Sequence, residues 1–389
     1  MPEKEIPSPS ELIARAEALV PFLREQAADH TRERRVTPET IAKVKDAGLF
    51  RVIQPKRYGG YEMSPEVFGE VLTTLARGDA SMGFVFGVIA VHSYHLAFYD
   101  DQAARDVWGQ DDSVLVGSPY APNGTAVPVE GGYRLSGRWS FSSGCDNCQW
   151  NFLGGTIEGE DGPLMQRMHS FLVPRSDAAI IDTWHVVGLQ GSGSKDIEVV
   201  DAFVPEHRVQ RFPIFDSSAH PGTRLNDGPL FRVPFMPLFV RAVSSAALGG
   251  LEGMIEHFCG YTADRLNVLS ERVARDPMVQ AALGQAKAGA EEMKGTMRRD
   301  LAEMRQIGEE GRLLGPEEQT LYMLKSANVP HRCQELALNL MRAAGANGIR
   351  LDRPLAGIYS DILVIGQHAS NTPATPAINL GKLMLGVEG

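Results

Sequence analysis

The stretch Glu130-Gly-Gly-Tyr-Arg-Leu-Ser-Gly-Arg-Trp-Ser-Phe-Ser-Ser-Gly144 decides the fold class. Gly131 and Gly132 both tolerate positive φ, so the pair reads as a tight turn between two strands. After it, Trp139 and Phe141 alternate with serines, which predicts one aromatic and one hydroxylic strand face. Short β-like runs surround this stretch: Val114–Val116, Pro128–Glu130, Tyr133–Leu135, Trp139–Phe141, Asn151–Ile157, His169–Val173, Ile180–Val187 and Ile197–Val204. No helix-length segment separates them. The reading is an antiparallel barrel or sandwich, not a βαβ sheet.

Working outward, both flanks are helical. Ser8-Pro9-Ser10-Glu11, Thr37-Pro38-Glu39 and Ser64-Pro65-Glu66 are helix starts, each a capping residue followed by proline. Gly48 is a stop. A fourth helix, about Ala80 to Tyr99, is apolar nearly all round at its start and so is buried. On the far side, segments near 238–265, 277–307 and 316–344 are long enough for bundle helices, with Pro330 kinking or dividing the last. Phe212–Pro237 reads as a linker or long loop. This gives an N-terminal helical domain (1–112), a central β domain (113–230) and a C-terminal helical domain (231–389).

Composition narrows the function classes. The chain has 389 residues, a net charge of -10 and four cysteines. An acidic surface repels phosphate backbones, which argues against nucleic acid. Four cysteines cannot staple a core of this size, and a reducing compartment fits. The first residues carry no apolar stretch, and the run Met82–Val91 is about half of a spanning helix's ~20 residues. The expectation is a cytoplasmic protein with no membrane partner.

Five features are candidates for chemistry. Cys145-Asp-Asn-Cys148 is a lone CxxC and reads as two small residues in a tight turn. Gly188-Leu-Gln-Gly191-Ser192-Gly193-Ser194 holds a GxG that opens no helix, so it is either a plain turn or a backbone cradle for a phosphate or flat ring. The Trp139/Phe141 strand is either a half-buried strand with solvated serines or one laying aromatics against a planar ligand. His92 ends the apolar run and is either a core histidine or a desolvated base. His368 lies in a polar loop, Gln367-His-Ala-Ser-Asn371-Thr-Pro373. No metal motif stands out.

Taken with the α–β–α order, these segments resemble the acyl-CoA dehydrogenase superfamily over nearly the whole chain. The chain looks most like the oxygenase components of two-component, reduced-flavin-dependent aromatic monooxygenases, of the p-hydroxyphenylacetate and phenolic seco-steroid hydroxylase type. Five segments carry the resemblance: Asp46–Gly60; His92 through Leu96-Ala97-Phe98; Gly137–Gly144; Gly188–Asp196 with Phe203-Val-Pro205; and Ala344–Gly348 through His368 and Asn371. Where acyl-CoA dehydrogenases carry a glutamate base in Tyr-Glu-Gly-Thr, this chain has Gln367-His-Ala-Ser370. It also has Ser360-Asp361 in place of Arg-Asp, and His92-Ser93-Tyr94 in place of His-Pro-Trp.

The resemblance implies an α+β fold with an N-terminal helical domain, a central antiparallel β-barrel and a C-terminal four-helix bundle. It implies an oxygenase that takes reduced flavin (FMNH2 or FADH2) from an NAD(P)H-dependent flavin reductase. O2 forms a flavin C4a-hydroperoxide, which hydroxylates a small phenol-like substrate. His92, Ser143 and His368 fall at catalytic positions. Trp139, Phe141, Ser142, Ser143, Gly191, Ser192, Ser194, Gly345, Asn347, Gly348 and Asn371 fall at flavin-binding positions. It further implies a homotetramer in which segment 344–350 reaches a neighbour's flavin. The alternatives are N- or S-oxygenation, an acyl-CoA dehydrogenase using Glu252, and, least favoured, a flavin-holding scaffold.

Overall fold

A computed structural model describes residues 6–212, 216 and 218–387. The three proline-led starts open helices. Ser8 Oγ accepts from the Glu11 N–H while the Ser8 N–H donates to the Glu11 carboxylate, so α1 (Pro9–Glu33) begins in a full capping box. Thr37 caps α2 (Pro38–Asp46), and Ser64 precedes α3 (Pro65–Gly78). Helix α4 (Ala80–Leu96) is buried at every residue, as its composition demands. The Asp79 carboxylate receives the Ser81 and Met82 N–H groups at its first turn. A short α5 (Asp101–Trp108), not anticipated from sequence, follows on an Asp100 cap.

The middle third forms β1 (Val116–Gly117), β2 (Gly124–Val129), β3 (Gly132–Ser142), β4 (Trp150–Ile157), β5 (His169–Pro174), β6 (Ala179–Ile181), β7 (Lys195–Pro205) and β8 (Val209–Arg211). Gly131, at φ 75°, makes the expected turn between β2 and β3. The two runs expected at 133–135 and 139–141 are one strand, bent by irregularities at Leu135/Gly137 and Trp139/Ser142. The sheet order is β6-β7-β3-β2-β4-β5-β8, with β1 beside β4. Among the described residues this path has two ends, so the sheet is open where a closed barrel was expected. It is also mixed: β2–β4 and β1–β4 are parallel pairs. Both edges of β3 are taken, by β2 and β7, so β4 pairs with the free edge of β2.

The last third holds α6 (Phe235–Ala263), α7 (Pro277–Glu310), α8 (Pro316–Ala344), α9 (Pro354–Ile365) and α10 (Ala374–Leu385). Pro330 was expected to kink or divide this segment; α8 runs through it undivided, with that proline buried near the Gly366 turn. Helix α6 is long and apolar enough to cross a membrane, but 94% of that stretch is buried inside the protein. It is the central core helix, packed on α3, α4, α8 and α9. Close crossings need glycine here: a side chain at Gly87 would strike the Ala242 carbonyl, and one at Gly249 the Thr73 carbonyl. One apolar core therefore joins the N-terminal and C-terminal helices, from Phe68 and Phe86 to Val243 and Ile362.

Candidate active site

Helix α4 is the spine on which the predicted residues meet. Gly144, at φ 73°, lies on its Val85 and Ile89, so a side chain there would press on both. His92 stands one turn beyond Ile89. His368 lies with its ring 6.3 Å from Phe84, near the start of the same helix.

His92 is 1% exposed. Its Nδ1 is 2.7 Å from the Val116 carbonyl, an acceptor only, so Nδ1–H donates. Nε2 is left as a lone pair, buried and without a partner among the described residues. Burial pushes the imidazole pKa down to about 4. The ring stands edge-on to Tyr120 (5.5 Å) and Phe152 (6.1 Å). Tyr120 reaches Phe239 at 5.7 Å, and Phe239 reaches His368 at 6.1 Å. Tyr120 and Phe239 thus bridge the two histidines. His368 is half-buried, its Nδ1 accepts the Ser370 N–H, and burial pushes its pKa down to about 4 as well.

The serines form a relay. Ser143 Oγ is hydrogen-bonded to Ser194 Oγ at 2.7 Å, and Ser194 Oγ to Ser192 Oγ at 2.7 Å. The Gly144 N–H donates to the Ser192 carbonyl, locking the two loops together. Ser143 is the half-exposed end of this chain. Ser142 is buried with an unpartnered Oγ. Phe141 is 70% exposed at φ 68° and meets Trp184 edge-on at 6.2 Å. A bulky residue at positive φ is strained, and such strain gathers where a ligand is held. An exposed aromatic face beside a serine relay with a half-exposed outer hydroxyl suits a planar, hydrogen-bonding group such as flavin.

Other expected site residues lie elsewhere. Trp139 is fully buried inside the sheet, its Nε1 donating to the Gly154 carbonyl at 2.6 Å. It is a packing residue with no face free for a cofactor, because the irregularity at Trp139/Ser142 turns Phe141 outward and leaves Trp139 inside. The even alternation expected for this strand fails for that reason. Gly191 packs against His30 and Ser81. Asn371 is fully buried, and its amide donates to the Ile365 carbonyl at 2.8 Å, closing the end of α9. The turn Gly345–Ile349 packs on α8 and α9, with Gly345 and Asn347 exposed and Gly348 buried. Glu252 is ion-paired with Lys294 at 2.9 Å. Cys145 and Cys148 are free and buried, and donate to the Gly193 and Gly144 carbonyls.

Sequence reading missed Tyr120, which lies against His92, and the rings of His95, Phe212, Phe235 and Phe239 that pack around Tyr120. One signal was present: His95 lies at i+3 from His92 on a helix with no solvent face.

Residues 14–108 match the acyl-CoA dehydrogenase N-terminal domain family, and residues 242–373 match the acyl-CoA dehydrogenase C-terminal domain family. The chain is 33% identical to a pigment production hydroxylase of Rhodococcus erythropolis, over 94% of both chains. It is 31% identical to the flavin-dependent monooxygenase oxygenase subunit HsaA of Rhodococcus jostii, over 94% of this chain and 96% of that one. The crystal structure of the 3-HSA hydroxylase from Rhodococcus sp. RHA1 superposes with a TM-score of 0.92 at 30% identity, covering 97% of each chain. The chain belongs to the acyl-CoA dehydrogenase superfamily. Within it, the chain belongs with the oxygenase components of flavin-dependent monooxygenases.

Proposed function

We propose that this chain is the oxygenase component of a two-component flavin-dependent monooxygenase and hydroxylates a phenol-like ring. Reduced flavin, FMNH2 or FADH2 from an NAD(P)H-dependent flavin reductase, supplies when bound the electrons that let one atom of O2 enter the ring while the other leaves as water. Ser143 offers its hydroxyl to the flavin, backed by Ser194 and Ser192. Phe141 gives the ring system a flat contact, and Ser142 a free oxygen. The Gly191 segment holds this loop against α1 and α4.

The observation that carries the reading is His92, a neutral acceptor aimed without a partner into an aromatic enclosure. It receives the phenol O–H. Full transfer from an ordinary phenol (pKa ~10) to an imidazole near 4 would be uphill by about 8 kcal/mol. The proton therefore moves as the ring carbon forms its new bond, not before. Tyr120 and Phe152 exclude water around His92, and Phe84 and Phe239 do so beside His368. His368, held neutral by burial, orients substrate from the opposite end.

Oligomer formation is part of the proposal. Ile378, Leu383, Met384 and Leu385 on α10, and Ile349 and Leu351 beside the 345–349 turn, are exposed apolar side chains. A homotetramer would cover them and bring Gly345, Asn347 and Gly348 to a neighbour's flavin. The dehydrogenase alternative is weak because Gln367-His368 stand where its base belongs and Glu252 is neutralised by Lys294. The test is to mix the protein with reduced flavin, 18O2 and a panel of phenols. A ring product carrying one 18O is expected. Release of all flavin electrons as H2O2 with every phenol, or reduction of bound oxidised flavin by an acyl-CoA, would overturn the reading.

A further inference from the structure

His95 lies three residues beyond His92 on α4 and is fully buried. Its Nδ1 is 2.8 Å from the Tyr120 hydroxyl. Among the described residues that hydroxyl has no other partner, and burial keeps it protonated by raising its pKa far above 10. With the Tyr120 O–H donating to Nδ1, the single imidazole proton of His95 sits on Nε2 and one donor is left unpaired, whereas the reverse direction would strand both the Tyr120 O–H and the Nε2 lone pair, so the first arrangement is the one the fold favours. Burial likewise keeps His95 uncharged. Its Nε2–H is buried without a partner among the described residues.

The two histidines are thus opposites. His92 presents a bare acceptor and His95 a bare donor. Both rings lie against Tyr120 (5.5 and 5.3 Å) and Phe152 (6.1 and 4.6 Å). Around His95, Phe212, Phe235 and Tyr99 supply ring faces and edges that cannot accept a strong hydrogen bond. An unpaired buried donor costs about 1–3 kcal/mol, a cost that a bound acceptor removes.

We propose that the His95 Nε2–H is a second polar anchor in the substrate pocket, and that the substrate ring bears two oxygen substituents. One is a phenolic O–H given to His92. The other is a hydroxyl or carbonyl oxygen that accepts from His95. The assignment of this space to substrate rests on the oxygenase reading. A ring lacking the second oxygen leaves the donor unpaired, and a site built to hydrogen-bond a group discriminates against the analogue without it.

The test is calorimetric titration of the full-length protein, without flavin, with phenol, resorcinol, catechol and hydroquinone. At least one dihydroxybenzene should bind about 5- to 100-fold tighter than phenol. His95→Phe should bring that ratio close to one. His95→Gln, which keeps an N–H donor, should retain most of it. Tyr120→Phe frees the His95 tautomer and should lower it part of the way, and this variant carries the test if His95→Phe does not fold. Equal binding of all four rings to the parent, or a ratio that survives both His95→Phe and Tyr120→Phe, overturns the anchor. Discrimination in binding with no hydroxylated product under reduced flavin and O2 leaves the anchor standing and removes the oxygenase reading. Hydroxylation of phenol and dihydroxybenzenes without discrimination does the reverse.

Discussion

Protonating His92 should cost the fold stability over a definite pH window. An imidazole in the unfolded chain titrates near 6.5, and in the folded chain at about 4. The unfolded state binds the proton first, so stability is fully present above pH 6.5 and is lost as pH falls from 6.5 to 4. At 1.36 kcal/mol per pKa unit, the full loss below pH 4 is about 3 kcal/mol, and about 2 kcal/mol of it is already gone at pH 5. His92→Gln isolates this contribution, because the amide can still donate to the Val116 carbonyl but does not titrate. His368 is shifted downward too, but it is present in both proteins and cancels in the difference, while the lowering of His95 is relieved only by the part that His92 contributes. The assay is denaturant unfolding of parent and variant at pH 8, 7, 6 and 5. The parent should lose about 2 kcal/mol more than the variant over that range. The acid limb of kcat/KM for a phenol should likewise lie near 4, since only neutral His92 accepts the O–H. Parallel stability curves, or an acid limb near 6.5, would show that His92 is not desolvated as its surroundings require.

Three further perturbations address the supports of the site. Ser143→Ala removes the outer end of the serine relay. Reduced-flavin affinity should fall by about 2- to 12-fold, and the share of O2 released as H2O2 should rise; unchanged values for both would move the flavin contact to another group. Asp361 receives the Leu189 N–H, and burial together with Asp79 lifts its carboxyl pKa to about 7. Its neutral form is the one the fold favours, so the parent should lose stability relative to Asp361→Asn as pH rises from 4 to 7 and no further above. A pH-independent difference in denaturation midpoint would refute this. Asp300→Ala leaves Arg241, 2% exposed, without its carboxylate at the α6–α7 contact, and should cost about 3–5 kcal/mol in unfolding free energy. A loss under about 1 kcal/mol would mean that water or Lys325 rearrangement compensates.

What could be read in the sequence is what local chemistry specifies. The three Ser/Thr-Pro starts open helices, two of them with side-chain caps, the Gly131 turn is where positive φ allows it, and the all-apolar run from Met82 is buried on every side. Sheet closure was not legible, because it depends on which edge β4 finds once β3 is flanked by β2 and β7, and nothing local encodes that. The site divides the same way. His92, Ser143 and His368 come to one helix, but Trp139 does not, since a one-residue irregularity exchanges the faces of everything after it. Tyr120 and Phe239 could not be found, because each lies in a different segment and they meet only when α6 crosses α4.

Helix α4 explains why fold and chemistry coincide. A helix with a solvent face can place a histidine where water satisfies it. A helix buried at all seventeen positions cannot. Every polar atom on α4 must then find a protein partner or be completed by a ligand. Tyr94 solves this by donating to the Leu230 and Val233 carbonyls, which ties α4 to the turn before α6. His92 and His95 each solve it at Nδ1 alone and leave Nε2 open. An apolar substitution at either position would remove that cost, and by stability alone would be preferred. A substrate bound against both would complete the two nitrogens that, among the described residues, α4 leaves without a partner.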